Sequence, residues 1–468
     1  MNRILTLLTA LLLAPVAALC AADSSKPDKR TNLLFILTDD EGLTDVGCYG
    51  SDRFKGKTPN IDALAATGLR FTHGFAPPLC CPSRTTLNTG RYLFRNGALT
   101  NTSSHSPSAK DEPSLARTLK QAGYVTGMAG KWRQMKDTPG DWGFDEWLTD
   151  PSGTGWFWEK SYIKNGQTIE TPEPVYGPDV CMDFTLDFLR RHREQPFYFY
   201  FPTHLVHGEI HRTPDSKPDA KKFYNDDIAY ADKQVGQLVA ELGKLGLREN
   251  TLIVFSGDNG SVHADKINGR MIDGHKHTLL EGGSRVPLIA NWKGTTPAGK
   301  VVDDLVDFSD FFATFAELAS TKMPEGVTFD SHSFAPQLRG ERGTPREWIF
   351  VQLGAEWYAR EQGFKLMHNG ELFDMSDAPF AQKAVPAASA SADSKAARAR
   401  LQAVLDQLSP ATGKTDSSAP KKGKDGKAKE NATKCCLRGK GENRNHPVSV
   451  TLAFDGPQRC NAVTKRSE

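Results

Sequence analysis

The sequence has little net charge, few cysteines and no long apolar run beyond its first residues, and each shortage excludes a class of protein. The formal charge of +2 comes from 58 Lys and Arg against 56 Asp and Glu, which disfavours a nucleic-acid-binding protein. No segment after the amino-terminal one has about 18 consecutive uncharged apolar residues, so no membrane span is predicted there. The eight cysteines contain no CxxC pair and are either adjacent or far apart, which does not resemble a disulfide framework or a zinc site.

The 468 residues, 38% of them hydrophobic, are enough to bury a core, which excludes a wholly disordered or collagen-like chain. The charge is unevenly distributed along them. Residues 411–468 hold 13 basic and 6 acidic side chains, a net +7, whereas residues 1–410 hold 45 basic and 50 acidic ones, a net −5. Because residues 414–434 contain no large apolar side chain, we interpret 411–468 as a basic, disordered extension. Contact of this extension with an anionic surface or polysaccharide is the alternative.

The first 22 residues have the three-part arrangement of a secretory signal peptide. Arg3 precedes an apolar run from Ile4 to Leu13 that is too short to span a bilayer. Small residues then end at Ala22, after which we place cleavage. A lipoprotein anchor on Cys20 is the alternative, but the bulky Leu19 stands where a small residue is usual. We therefore expect a secreted or periplasmic protein.

From Thr31 onwards, short apolar runs alternate with longer amphipathic segments. Strands are predicted at 33–37, 124–128, 197–201, 252–255 and 286–290, and helices at 61–67, 113–122, 182–191, 226–245 and 308–318. This order is typical of an α/β fold with a large, mostly parallel sheet and helices on both faces, which we assign to residues 23–325. Short strands with tight turns and a helix at 396–408 predict a smaller C-terminal α+β subdomain over 326–410, with a boundary near 322–330.

Three predicted strands end in polar residues: Asp39 and Asp40, His204 and His207, and Asp258 and Asn259. Any one of these clusters alone is typical of a turn. Because ligands of such sheets bind at the carboxyl ends of strands, the three clusters together indicate a site. Three carboxylates and an amide oxygen are ligands for a hard cation, so we expect calcium or magnesium there.

The segment from Leu79 to Arg91 reads C-x-P-S-R followed by L-x-T-G-R. A loop that ends at Pro82 and a helix that begins at Ser83 place Cys80 near the positive end of the helix dipole. Arg84 is close enough in sequence to stabilise an anion there. From these residues alone, Cys80 is either a thiolate nucleophile or a buried structural cysteine.

This motif resembles that of the type I sulfatases of the alkaline phosphatase superfamily, and the resemblance extends from Thr31 to about Asp377. It implies that Cys80 is oxidised to formylglycine by a formylglycine-generating maturation enzyme. Pro82 and Arg84 match the residues that this enzyme recognises.

The resemblance also assigns the other residues of the expected site. It implies a divalent cation, calcium with magnesium as the alternative, held by Asp39, Asp40, Asp258, Asn259 and the modified Cys80. Lys131 in G-K-W and Lys276, five residues before E-G-G-S-R-V-P, match the family's two lysines at the sulfate. His207 resembles its active-site histidine, and E-L-F-D-M at 371–375 resembles a strand of its small domain.

The sequence departs from the family pattern at one position that matters. Where the family reads G-K-W-H-L-G, this chain reads G-K-W-R-Q-M, so Arg133 replaces the histidine that contacts the formylglycine. Arginine can bind an anionic oxygen through its donor fork, but it is not a proton shuttle near neutral pH. We expect Arg133 to bind substrate, and a salt-bridged surface arginine is the alternative.

The resemblance implies a sulfuric ester hydrolase in which the hydrated formylglycine attacks sulfur and His207 protonates the leaving alcohol. The expected substrates are sulfate esters, small or polymeric, on carbohydrates. Aromatic residues in 150–166 either stack on sugar rings or pack in the core: Trp156, Phe157 and Trp158. Two alternatives are a phosphodiesterase or phosphonate monoester hydrolase of the same superfamily and a non-catalytic binder of sulfated glycans.

Overall fold

The computed structural model describes residues 30–102, 106–132, 135–151, 157–208 and 210–414. The predicted signal peptide, Arg133, Trp156 and the extension from residue 415 onwards lie outside these ranges.

The described residues form seventeen strands and ten α-helices. The strands are β1 (Asn32–Thr38), β2 (Leu69–Phe75), β3 (Val125–Ala129), β4 (Glu146–Thr149), β5 (Trp158–Lys164), β6 (Gln167–Tyr176), β7 (Phe197–Pro202), β8 (Thr251–Gly257), β9 (Lys266–Ile267), β10 (Arg270–Met271), β11 (Arg285–Asn291), β12 (Lys300–Asp307), β13 (Ile349–Leu353), β14 (Glu356–Arg360), β15 (Phe364–Met367), β16 (Leu372–Asp374) and β17 (Lys383–Ala384). The helices are α1 (Pro59–Ala66), α2 (Cys80–Thr89), α3 (Leu93–Asn96), α4 (Leu115–Gln121), α5 (Gly177–Arg191), α6 (Tyr224–Lys244), α7 (Glu281–Ser284), α8 (Asp310–Leu318), α9 (Ala335–Leu338) and α10 (Ala392–Leu408). Short 3-10 helices lie at Leu43–Asp45, Gly47–Tyr49, Arg248–Asn250, Ala387–Ser389 and Pro410–Thr412.

Ten strands form one large sheet in the order β12-β2-β11-β8-β1-β7-β3-β4-β5-β6. Its central neighbours from β8 to β4 are all parallel, whereas β11 and the β5–β6 hairpin run antiparallel to their neighbours. The sheet is therefore mixed with a parallel centre, and the predicted α/β class is confirmed. Parallel centres of this kind are covered on both faces, which explains the continuous apolar runs in β1, β7 and β8.

The strand register brings three chain segments to one edge of the sheet. Thr38 at the end of β1 pairs with Gly257 at the end of β8, and Leu37 pairs with Pro202 at the end of β7. The residues that follow these strands therefore leave the sheet side by side.

Alternate side chains of β1 enter two different cores. Leu33, Phe35 and Leu37 pack on one face with side chains of α4 and α8, and Phe35 meets the Phe311 ring edge-on at 4.7 Å between centroids. Leu34 and Ile36 pack on the other face with side chains of α1, α5 and α6. Helices therefore cover both faces of the large sheet, as predicted.

The small sheet is antiparallel, in the order β13-β14-β15-β16-β17, and α10 packs against β14 and β15. This arrangement is the predicted α+β architecture. The change from the large to the small sheet falls between Asp307 and Ile349, and the predicted boundary near 322–330 lies within that connection and stays a prediction. Among the described residues, no helix is both long and apolar enough to cross a bilayer.

Candidate active site

Asp39 and Asp258 lie side by side because they directly follow β1 and β8. The backbone N–H of Asp258 donates to the Thr38 carbonyl at 2.9 Å, which continues the strand pairing by one residue. On the other side, the Asp39 N–H donates to the Leu205 carbonyl at 2.7 Å. Both carboxylates are fully buried. The sheet edge therefore fixes two of the predicted cation ligands through backbone hydrogen bonds.

Asp40 adopts a left-handed backbone conformation, with φ 63°. Its N–H donates to Asp258 Oδ1 at 3.1 Å, which helps to stabilise this turn. As a result, the consecutive side chains of Asp39 and Asp40 both face Cys80, and we call this meeting point the centre. Cys80 Sγ lies 3.2 Å from Asp39 Oδ1 and 3.7 Å from Asp40 Oδ1. Asn259 joins them by donating from Nδ2 to Asp40 Oδ1 at 2.8 Å.

Cys80 is the first residue of α2, and not part of a loop before a helix that begins at Ser83. The prediction placed Pro82 outside the helix, but proline is tolerated in a first turn because its missing N–H would be unpaired there anyway. Ser83 Oγ donates to the carbonyls of Pro77 and Leu79 at 2.6 and 2.9 Å, which fixes the segment before the helix. Every residue of α2 is buried.

Arg84 lies one turn after Cys80 and on the same face of α2. Its Nε and Nη2 both contact Asp258 Oδ2, at 2.9 and 2.8 Å, and Nη2 lies 3.6 Å from Asp39 Oδ2. Within the described residues, Arg84 Nη1 is buried without a hydrogen-bond partner. The guanidinium therefore links two carboxylates and keeps a donor for a further acceptor.

Lys131 follows β3 and reaches the same centre, where its Nζ pairs with Asp39 Oδ2. Gly130 makes this possible, because its φ is 131° and a Cβ there would lie 2.1 Å from the Pro202 carbonyl oxygen. The Lys131 N–H also donates to that carbonyl, at 2.7 Å. The lysine is thus held against the end of β7.

Lys276 reaches the centre from the segment before α7. Its Nζ lies 2.6 Å from Asp40 Oδ1 and 3.4 Å from Cys80 Sγ. Its backbone N–H donates to the Ser261 carbonyl at 2.9 Å, just beyond the cation ligands that follow β8. Gly260 permits this close packing, because a Cβ there would lie 1.7 Å from the Gly282 carbonyl oxygen.

The segment after β7 carries two histidines with different surroundings. His207 is partly exposed, with Nε2 3.9 Å from Asp40 Oδ2 and Nδ1 2.9 Å from the Gly208 carbonyl. His204 is buried, and its Nε2 lies 2.9 Å from the buried Asp150 Oδ1. His207 thus faces the centre, whereas His204 anchors its segment to the residue after β4.

The pKa values of two carboxylates in the centre, Asp39 and Asp258, are shifted in opposite directions. Burial alone raises the pKa of Asp39, but the charges of Lys131 and Arg84 outweigh burial and hold that pKa well below its usual value. Burial, reinforced by the charge of Asp39, raises the pKa of Asp258 to about 7 despite Arg84. Asp258 is therefore a carboxylate whose charge the protein's own cations do not fully compensate.

The thiol of Cys80 has a raised pKa, and the two lysines stay protonated. Burial and the charges of Asp258 and Asp39 raise the Cys80 pKa well above its usual value, which disfavours a thiolate. Burial opposes protonation of Lys131 and Lys276, but Asp39 raises the pKa of Lys131, and Cys80 together with Asp40 raises the pKa of Lys276. Burial lowers the pKa of His207.

Comparisons with known proteins assign this arrangement to a family. The family model named Sulfatase matches residues 31–321. An N-acetylgalactosamine-6-sulfatase from Canis lupus familiaris is 32% identical over 388 residues, which span 73% of this chain and 72% of that relative. The chain belongs to the sulfatase family.

Further relatives agree with this assignment. Human arylsulfatase A is 31% identical to this sulfatase over 379 residues, with 73% of each chain covered. The crystal structure of Ps i-CgsB in complex with k-i-k-neocarrahexaose matches with a TM-score of 0.70 and 26% identity, covering 81% of this sulfatase and 92% of that chain. The resemblance to type I sulfatases is confirmed, and the chain is a sulfuric ester hydrolase.

The residues of this sulfatase fit a divalent cation. Ligand atoms of Asp39, Asp40, Cys80 and Asp258 all lie within 4.8 Å of one another. Asn259 Oδ1 is buried and, in the described part of the chain, has no hydrogen-bond partner. Three carboxylate groups and an unpaired amide oxygen are the donor set that calcium or magnesium prefers.

The structure brings together all the predicted site residues that it describes: Cys80, Arg84, Lys131, His207, Lys276, Asp39, Asp40, Asp258 and Asn259. Arg133 lies outside the described residues and stays a prediction. Of the aromatics, Phe157 is buried, whereas Trp158 is 40% exposed. Sequence reasoning missed Asp150, although the apolar pair Trp147 and Leu148 before it is a short strand signal that could have identified its place at a strand end.

Proposed function

We propose that this sulfatase hydrolyses sulfate esters of carbohydrates through a formylglycine formed from Cys80 and a divalent cation, calcium with magnesium as the alternative. The position of Cys80 Sγ carries the proposal. It lies 3.2 Å from Asp39, 3.7 Å from Asp40 and 3.4 Å from Lys276, at the point where cation ligands and lysines converge. A maturation enzyme acting on C-x-P-S-R accounts for the modification.

In this proposal the cation is held by Asp39, Asp40, Asp258, Asn259 and the modified side chain at position 80. It would supply Lewis-acid stabilisation of negative charge on the sulfate. The formylglycine would supply an oxygen nucleophile. The raised thiol pKa at position 80 agrees with replacing sulfur there, because a thiolate is disfavoured beside two carboxylates.

The chain's own cations would bind and orient the sulfate. With the cation bound, Asp258 would also be ionised, and the formal charges of Asp39, Asp40 and Asp258 would equal in number those of Arg84, Lys131 and Lys276. A divalent cation then leaves a net charge of +2 for the anionic ester. Fixed positive groups of this kind stabilise charge that develops on the sulfate and leaving oxygens, and removing one donor typically costs about 10²–10³-fold in kcat.

His207 is the proposed general acid for the leaving alcohol. Its Nδ1 is assigned as donor to the Gly208 carbonyl at 2.9 Å, which directs Nε2 towards Asp40 and the centre. Protonated at Nε2, it can deliver a proton to the departing oxygen, a role typically worth about 10²–10⁴-fold. Arg133 is proposed to bind the substrate, since its donor fork suits an anionic oxygen.

A carbohydrate substrate is supported by the relatives, one named for N-acetylgalactosamine 6-sulfate and one solved with a neocarrahexaose. The exposed Trp158 offers an aromatic surface for a sugar ring. Secretion, predicted from residues 1–22, would bring the enzyme to extracellular polysaccharides.

The test compares the matured protein on 4-nitrophenyl sulfate and 4-nitrophenyl phosphate, followed by a panel of sulfated monosaccharides. We expect a higher kcat/KM on the sulfate ester, loss of activity on chelation, and recovery when calcium is added back. Faster hydrolysis of the phosphate would favour the phosphorus-ester alternative. Fully matured protein that binds sulfated sugars without turning any over would favour the glycan binder.

A further inference from the structure

Three side chains of the small sheet contact the segment that carries Lys276. Tyr358 and Arg360 lie on β14 and Lys365 lies on β15, and all three are buried. We call these three residues the clamp. They belong to the part of the chain beyond the large sheet, yet each contacts a residue between Lys276 and β11.

Each residue of the clamp makes a polar contact with a different residue of the segment. Arg360 Nη1 pairs with Glu281 Oε1, and Tyr358 and Ser284 share a hydrogen bond between their hydroxyls at 2.9 Å. Lys365 Nζ donates to the Leu279 carbonyl at 3.1 Å. Three points of a short segment are thereby held by one sheet.

The held segment is also tightly folded onto the active centre. The His277 N–H donates to the Pro78 carbonyl at 3.1 Å, just before Cys80, and the Gly260 N–H donates to the Gly283 carbonyl at 3.0 Å. A Cβ at Gly283 would lie 2.2 Å from the Thr278 carbonyl oxygen. Because these contacts fix the segment on both sides of Glu281, we expect a shift of Glu281 to displace Lys276 as well.

We propose that the clamp positions Lys276: Arg360, Tyr358 and Lys365 act through the segment 276–285 to hold the Lys276 ammonium beside Asp40 and position 80. The small sheet is then part of the catalytic apparatus although none of its residues touches the centre. This inference rests on the proposed sulfatase function, in which Lys276 contacts the sulfate. Misplacement of such a group by about 1 Å costs up to about 10²-fold in rate.

The test is a double-mutant cycle on the matured full-length enzyme with 4-nitrophenyl sulfate. Arg360→Met should lower kcat/KM about tenfold in the wild-type background and less than about twofold in a Lys276→Met background, since a positioning residue has no effect once its target is gone. Tyr358→Phe, which removes one hydroxyl, should show the same pattern with a smaller effect and decides the matter if Arg360→Met does not fold.

Arg346→Met is the matched control. Arg346 is likewise a largely buried arginine that follows the large sheet, but it pairs with Asp310 on α8 at 2.5 Å and not with the Lys276 segment. It should lower the thermal midpoint without a coupling to Lys276. Equal effects of Arg360→Met and Tyr358→Phe in both backgrounds, or the same coupling in Arg346→Met, would overturn the positioning role. An inactive wild-type enzyme would refute the proposed function instead, so the two failures are distinguishable.

Discussion

The active centre and the contact between Glu281 and the clamp both bury carboxylates against cations, but they differ in how the carboxylates are paired. In the centre three aspartates crowd together, and the pKa of Asp258 is raised to about 7 by burial and by Asp39. At Glu281 a single carboxylate contacts Arg360 and, at 3.2 Å, Arg285. Burial raises its pKa, but the two arginines outweigh burial and lower it to about 2.

This difference separates two uses of buried charge. Carboxylates that repel one another are stabilised when a cation binds between them, so their crowding indicates a ligand site. A carboxylate saturated by two arginines needs no ligand, and its loss leaves buried charges unpaired. Changes in the centre should therefore affect activity first, and changes at Glu281 should affect stability first.

The largest effect is expected for Cys80→Ala. Without the residue that we propose is converted to formylglycine, kcat on 4-nitrophenyl sulfate should fall by about 10⁴-fold or more, since the proposed nucleophile is lost. The thermal midpoint, measured by circular dichroism, should change little. Cys81→Ala is the control, because its neighbouring thiol is also buried but occupies the variable position of the motif. Retention of full activity by Cys80→Ala would contradict the nucleophile assignment.

The next effect is expected for Lys276→Met. Removal of one fixed positive charge from the proposed sulfate site should lower kcat by about 10²–10³-fold. Steady-state kinetics on the same ester measure it. Lys266→Met, a change of an exposed lysine on β9, should leave kcat within about twofold of the wild type. If both variants behaved alike, Lys276 would have no place at the sulfate.

Glu281→Gln should affect stability more than activity, unlike the changes in the centre. Breaking a buried pair leaves Arg360 and Arg285 without their carboxylate, so the free energy of unfolding in urea should fall by roughly 3–5 kcal/mol, while activity per folded molecule falls by about tenfold at most. Glu361→Gln breaks the more exposed pair with Arg400 and should cost at most about 1 kcal/mol. If Asp258→Asn in chelated protein cost as much as Glu281→Gln, the contrast between the two clusters would be lost.

The smallest effect is a pH dependence of stability. The folded pKa of Glu281 is about 2, below the ordinary value of 4.5, so its contribution to stability is fully present above about pH 4.5 and is lost as the pH falls towards 2. The shift corresponds to roughly 3 kcal/mol. Urea unfolding between about pH 6 and pH 3 should show a steeper loss for the wild type than for Glu281→Gln. Identical slopes would mean that Glu281 is not held as a paired carboxylate.

Much of the active centre could be predicted because its residues follow recognisable local patterns. Asp39 and Asp258 come directly after continuous apolar strands, and Cys80 lies in a specific motif. The bounds of the helices were less predictable. α2 begins at Cys80, three residues earlier than expected, because proline is tolerated in a first turn. α5 begins at Gly177, whereas this helix was predicted from residue 182. β6 was missed because it is an exposed edge strand without an apolar pattern.

The long-range polar contacts left no local signal in the sequence. Glu281 and Arg360 are 79 residues apart, and His204 and Asp150 are 54 apart. A buried ionic or polar pair of this kind depends on which loops the sheets bring together, and neither partner has a spacing that marks it in the sequence. In the sequence, Arg360 resembles an ordinary charged residue on a short strand. In the structure it is fully buried against Glu281.

The most direct test of the proposed chemistry is mass spectrometry of the peptide containing position 80, combined with specific activity. Preparations made with and without a formylglycine-generating enzyme would provide different degrees of conversion of Cys80 to the aldehyde. We predict that activity on 4-nitrophenyl sulfate rises in proportion to the converted fraction and is negligible for the unmodified thiol. Equal activity in converted and unconverted protein would contradict it.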